Sequence, residues 1–156
     1  MDRRDLFRIL AAGAFAQHAF GYQPRFFTQP EYDLVDALAE VIIPADDQSP
    51  GAHAAGVAFY IDTVLHYADP STQAAWRTGM KAVAAGNSTP AEIVALMARN
   101  EANPTTDLEH FFPRLKRMAI EGYALSDVGM HQHFGYKGDT AIHHFTGCTH
   151  PEHQRP

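Results

Sequence analysis

Cysteine is nearly absent: Cys148 is the single one in 156 residues. No disulfide can form within the chain, so the fold rests on apolar packing. The lone thiol is either a buried small apolar residue or half of an intermolecular bridge. One cysteine also excludes the Cys-x-x-Cys-His attachment of a c-type haem. There is no Gly-x-Gly-x-x-Gly run of the kind that cradles a dinucleotide. Cationic residues are in the minority, with 12 Lys and Arg against 18 Asp and Glu and a net charge of −6. That balance argues against the basic face of a nucleic-acid binder. No apolar run approaches the roughly 20 residues needed to cross a bilayer. Two-residue alternation long enough for a strand is missing, as are internal repeats and low-complexity tracts.

What is present is a substantial apolar fraction, 46% of the residues, enough for the core of one ordinary domain. The first 21 residues stand apart. Arg3 and Arg4 are adjacent, Leu6 and Phe7 follow, Ile9 to Ala16 is apolar, and Ala14-Phe15-Ala16 has small residues at a cleavage-site spacing. This is the layout of a secretory signal with a twin-arginine head, and residues 1–21 are assigned to it. The alternative is an amphipathic helix retained in the cytosol. Twin-arginine export carries proteins that are already folded, so the expected destination is the periplasm. The remainder is more acidic than the whole, because the leader has three arginines against two aspartates.

Residues 22–30 read as a linker, with Phe26 and Phe27 expected to tuck onto the core. Thr28 and Glu31 have capping-box spacing for a helix with Leu34, Leu38, Val41 and Ile42 on one face, stopped by Pro44. A second helix is expected from about Ala52 to Ala68, with Val57, Tyr60, Ile61, Val64 and Leu65 inward. Asp69-Pro70 opens a third, lined by Trp76, Met80 and Val83 and ending near Gly86. Thr89-Pro90-Ala91-Glu92 opens a fourth, with Ile93, Leu96 and Met97 inward. Thr106 and Glu109 open the longest, with Leu108, Phe111, Phe112, Leu115, Met118 and Ala119 as a bulky stripe to about Leu125. Pro113 conflicts with it, since a mid-helix proline costs about 3 kcal/mol. Either the helix bends there or regular helix begins near Phe112. The fold class is all-α, a bundle of about five helices with an irregular C-terminal tail rich in glycine and aromatics.

Three groups of residues invite a chemical reading. Asp46 and Asp47 share the loop after Pro44, where paired carboxylates ligate metals or serve as acid and base, though such pairs more often bend a turn. His131, His133, His143, His144, His150 and His153 gather near Cys148. Imidazole and thiolate are suitable zinc or copper ligands, and a periplasmic metal-binding helical protein is the alternative function. Their spacings match no standard metal motif. Tyr123, Phe134, Tyr136 and Phe145 interleave with Gly122, Gly129, Gly135, Gly138 and Gly147. Such a tail either covers its own core or docks on another protein.

The segments Ala39-Glu40-Val41-Ile42-Ile43-Pro44-Ala45-Asp46-Asp47, Ser49-Pro50-Gly51 and Ala55-Gly56-Val57 carry a resemblance. It continues through Phe111-Phe112, Glu121-Gly122-Tyr123, Val128-Gly129-Met130, Gly135-Tyr136-Lys137-Gly138 and Gly147-Cys148. In this order they resemble the gluconate 2-dehydrogenase subunit 3 family, the small subunit of membrane-bound sugar dehydrogenases, over a domain taken as 31–153. The resemblance implies a non-catalytic subunit with no cofactor of its own. Its partner would be a large FAD-dependent flavoprotein of the glucose–methanol–choline type, often joined by a cytochrome c subunit with haem c. The small subunit's signal at Arg3 and Arg4 would export the pair, with membrane association only through the complex, at the outer face of the inner membrane. In that setting Cys148 is the candidate for an intersubunit disulfide. Tyr123, Tyr136 and Lys137 are the candidates for docking.

Overall fold

A computed structural model describes residues 22–85 and 88–138. The signal with Arg3 and Arg4 lies outside the described residues, as do Cys148, His143, His144, His150 and His153. The described residues are helical or loop, without a strand. The elements are α1 (Gln29–Ile42), the single turn α2 (Gly51–Ala54), α3 (Val57–His66), α4 (Pro70–Ala84), α5 (Pro90–Ala98) and α6 (Asp107–Leu125). A π-helical turn, Val128–His133, follows. The five longer helices form the expected all-α bundle. α6 is its axis, packing against α1, α3, α4 and α5.

The starts of the helices follow local chemistry. Thr28, Thr89 and Thr106 each form a capping box with the glutamate three residues on, satisfying amides that have no helical partner. Asp69 caps α4 through the amides of Ser71 and Thr72, with proline following at the first helical position. These hydrogen bonds, the one from the Ser71 side chain foremost, hold the Asp69 carboxyl well below the usual range. Glu109 accepts from the Thr105 amide and hydroxyl, from Asn100 and from the Thr106 amide, which lowers its pKa from 4.5 to about 2.

Several inward faces differ from expectation. In α1 the core residues are Val35, Leu38 and Ala39, while Leu34 is only partly buried and Val41 is 37% exposed. The stripe 35, 38, 39 and 42 has the same 3.6-residue period, and packing against α2, α3, α5 and α6 selects it. Leu96 is likewise turned outward. The helix expected from 52 to 68 is two helices. Gly56 sits at φ +68, a left-handed conformation that favours glycine, and the chain restarts there as α3. Pro113 lies inside α6, whose helical hydrogen bonding begins at Asp107, so the late start near Phe112 is excluded. Its ring is exposed and the helix is held by four neighbours, which offsets the lost bond.

The core is a chain of aromatic contacts. Trp76 and Phe111 meet edge to face at 4.9 Å, and Phe27 lies 6.1 Å from Trp76. Gly79 permits this approach, because a Cβ there would stand 2.1 Å from the Phe111 ring. Residues 22–28 are no free linker. Asp62, fully buried in α3, accepts from the amides of Arg25, Phe26 and Phe27 at 2.8, 3.0 and 2.9 Å and from the Tyr22 hydroxyl at 2.7 Å. A buried carboxylate is tolerable only when so satisfied. Burial first, then the hydrogen bond and charge of Asp62, push the Tyr22 hydroxyl well above the ordinary tyrosine range. Arg77 holds the same segment from α4. It donates to the Phe26 carbonyl and to Glu31, and its guanidinium lies 4.1 Å from the Phe26 ring centre. Burial alone would disfavour the Glu31 anion, but the Thr28 amide and hydroxyl and then Arg77 outweigh it and lower its pKa.

Two outcomes follow from these contacts. Asp62→Asn sets an NH2 group against converging donors and is expected to lower unfolding free energy by about 3 kcal/mol or more. Urea denaturation reads this, and a loss under about 1 kcal/mol would show that the clamp contributes little. Glu109, with its folded pKa depressed, contributes stability that is full above about 4.5 and lost as pH falls toward about 2. Glu109→Gln is expected to flatten that part of the pH–stability profile. Melting temperatures measured at steps through this window would contradict the assignment if the slope were unchanged.

Candidate functional site: an apolar groove beside the Pro44–Pro50 loop

The loop between α1 and α2 is built by side chains standing in for regular backbone pairing. Glu40, one turn before the end of α1, accepts from the Ala45 amide at 2.9 Å and from the His53 amide at 2.8 Å, closing both ends of the loop. Asp46 accepts from the amides of Gln48 and Ser49 at 2.8 and 2.7 Å, an Asx turn. The Ala52 amide reaches the Ile43 carbonyl at 2.9 Å. Gly51 takes φ +82, and a Cβ on it would stand 2.5 Å from the Glu40 carboxylate, so both conformation and space call for glycine. Of the two aspartates considered as a chemical pair, Asp46 is thus consumed by the turn and Asp47 is exposed beside it. The arrangement is that of a bent turn.

The loop is fastened to α6 by one buried contact, the Ser49 and Tyr123 hydroxyls at 2.6 Å. Tyr123 is 5% exposed and is a core residue of this chain. Its expected docking role gives way to a structural one, because ring and hydroxyl are both already occupied. Its signal as a core residue was available, since it continues the stripe of Leu115 and Ala119. Beyond it, Ser126 accepts from the Gly129 amide at 2.9 Å and donates to the Tyr123 carbonyl at 2.7 Å. The chain then turns sharply into the π-helical turn. Gly129 passes so close that a Cβ would lie 2.0 Å from the Tyr123 carbonyl oxygen.

Between the loop, the end of α6 and the residues just after the turn lies a hollow of about 310 Å³, lined chiefly by Ile42, Ile43, Pro44, Ile120, Ala124 and Phe134. Its rim is strongly apolar and open to solvent. Of its lining residues Phe134 is 60% exposed and Ile120 50%, and Leu125, the last residue of α6, is 52% exposed. Tyr136 is also exposed, its ring 6.2 Å from that of His131, and Lys137 is exposed next to it. Of the docking candidates, the structure therefore puts Tyr136 and Lys137 on the surface, two and three residues beyond Phe134 in the chain. Phe134 was read from the sequence only as one of the tail's aromatics, and Ile120 was not singled out. Ile120 could have been suspected, because it falls on the opposite side of α6 from the core stripe.

The histidine cluster is only partly within the described residues. There, His131 pairs with Asp127 at 2.8 Å and the His133 ring packs edge-on to Tyr123 at 5.8 Å. Among the described residues no group of three or more His, Cys, Asp or Glu side chains is placed to hold a metal ion. No helix among them is long and apolar enough to cross a membrane.

The loop and the helices that carry it are also where the chain matches a known family. A family model described as gluconate 2-dehydrogenase subunit 3 matches residues 29–90. Residues 29–90 belong to the gluconate 2-dehydrogenase subunit 3 family. No curated protein and no solved structure matches the chain. The subunit 3 segment spans α1 to α4 and supplies Ile42, Ile43 and Pro44 to the groove. Ile120, Ala124 and Phe134 come from beyond its end.

The Ser49–Tyr123 contact ties the two walls together. Tyr123→Phe is expected to cost about 1 kcal/mol, and Ser49→Ala with Tyr123→Phe is expected to cost less than the two single losses added. A double-mutant cycle by urea denaturation measures the coupling. Strict additivity would mean that the two hydroxyls do not act as a pair.

Proposed function

We propose that the chain is a non-catalytic accessory subunit of an FAD-dependent dehydrogenase complex, as its subunit 3 segment suggests. The observation that carries this reading is the concentration of exposed apolar side chains at one end of α6. Ile120 and Phe134 are each at least half exposed and border a hollow whose other wall is the subunit 3 loop, and Leu125 at the end of α6 is also half exposed. Contiguous exposed apolar surface of this kind marks protein contacts. The partner is a large flavoprotein of the glucose–methanol–choline type that holds the FAD and oxidises a sugar, sugar acid or alcohol, with a cytochrome c subunit carrying electrons onward.

In this reading the small subunit assembles and stabilises the flavoprotein and carries it to the periplasm by the twin-arginine signal at Arg3 and Arg4. Membrane association comes through the complex, at the outer face of the inner membrane. Tyr136 and Lys137 extend the apolar contact, and Cys148 bonds a cysteine of the large subunit after export. The clamp on residues 22–27 supports export of a folded subunit, since the leader joins directly onto a segment tied into the core.

Co-expression with a large FAD-dependent dehydrogenase subunit of this type tests the reading. A yellow, FAD-loaded partner is expected to co-purify. Ile120→Asp with Phe134→Ala is expected to lower the yield of complex at least tenfold while leaving the melting temperature of the isolated subunit nearly unchanged. A covalent band on a non-reducing gel is expected to vanish with Cys148→Ser. Full recovery of the complex from the groove variant would refute this surface as the contact. Purification of the chain without any flavoprotein would refute the accessory role.

A further inference from the structure

We draw no further inference here: the strongest candidate, the side chains of His133 and Asp46 that line the apolar groove between the Pro44–Pro50 loop and the end of α6, belongs to the site already described.

Discussion

One buried carboxylate organises the amino-terminal half of this structure. Asp62 has no exposed surface, and its oxygens are met by three consecutive backbone amides and a tyrosine hydroxyl. An ion in a core is expensive unless every lone pair is answered, so the acid and the segment that answers it hold each other in place. Once residues 25–27 are pinned, Phe27 enters the core against Trp76. Trp76 in turn meets Phe111 across the Gly79 crossing. Arg77 reaches the same segment from α4 through the Phe26 carbonyl and ring. A stretch without regular structure of its own thereby joins α3, α4 and α6.

The loop after α1 solves a similar problem with different groups. The eight residues between α1 and α2 leave amides without partners; Glu40 and Asp46 accept from three of these, at Ala45, Gln48 and Ser49, and Glu40 also from His53 in α2. Ser49 then locks the loop onto Tyr123 of α6. The acidic and small residues of this stretch, which a chemical reading would nominate as acid and base, are thus explained by turn construction. This loop lies within the segment that the subunit 3 family model matches, and it holds Ile42, Ile43 and Pro44 at the edge of the groove.

α6 connects the scaffold to the surface. Its inward stripe packs four helices, and its outward side carries Ile120 before the chain turns at Ser126 and presents Phe134 and Tyr136. A helix that forms the axis of a small bundle is among its most rigid parts. Side chains displayed on it are therefore well placed for a partner at little entropic cost.

Much of the architecture was legible in the sequence. Capping boxes at Thr28, Thr89 and Thr106 marked helix starts because their chemistry is local, complete within four residues. The apolar period predicted five helices and placed Trp76, Met80, Val83, Phe111 and Leu115 inward, since a stripe that large has one side to bury. Ordered motifs around Pro44 and Gly51 pointed to the family. The sequence could not choose between the two stripes of α1, because both have helical period and only contact with the neighbouring helices separates them. Nor could it show that Asp62, one aspartate in an apolar helix, would capture a segment some 36 residues earlier. The assembly of Ile120 with Phe134 across the groove was also decided by tertiary structure. Local propensity and period act over a few residues and are written in the chain. Which faces meet depends on groups that only folding brings together.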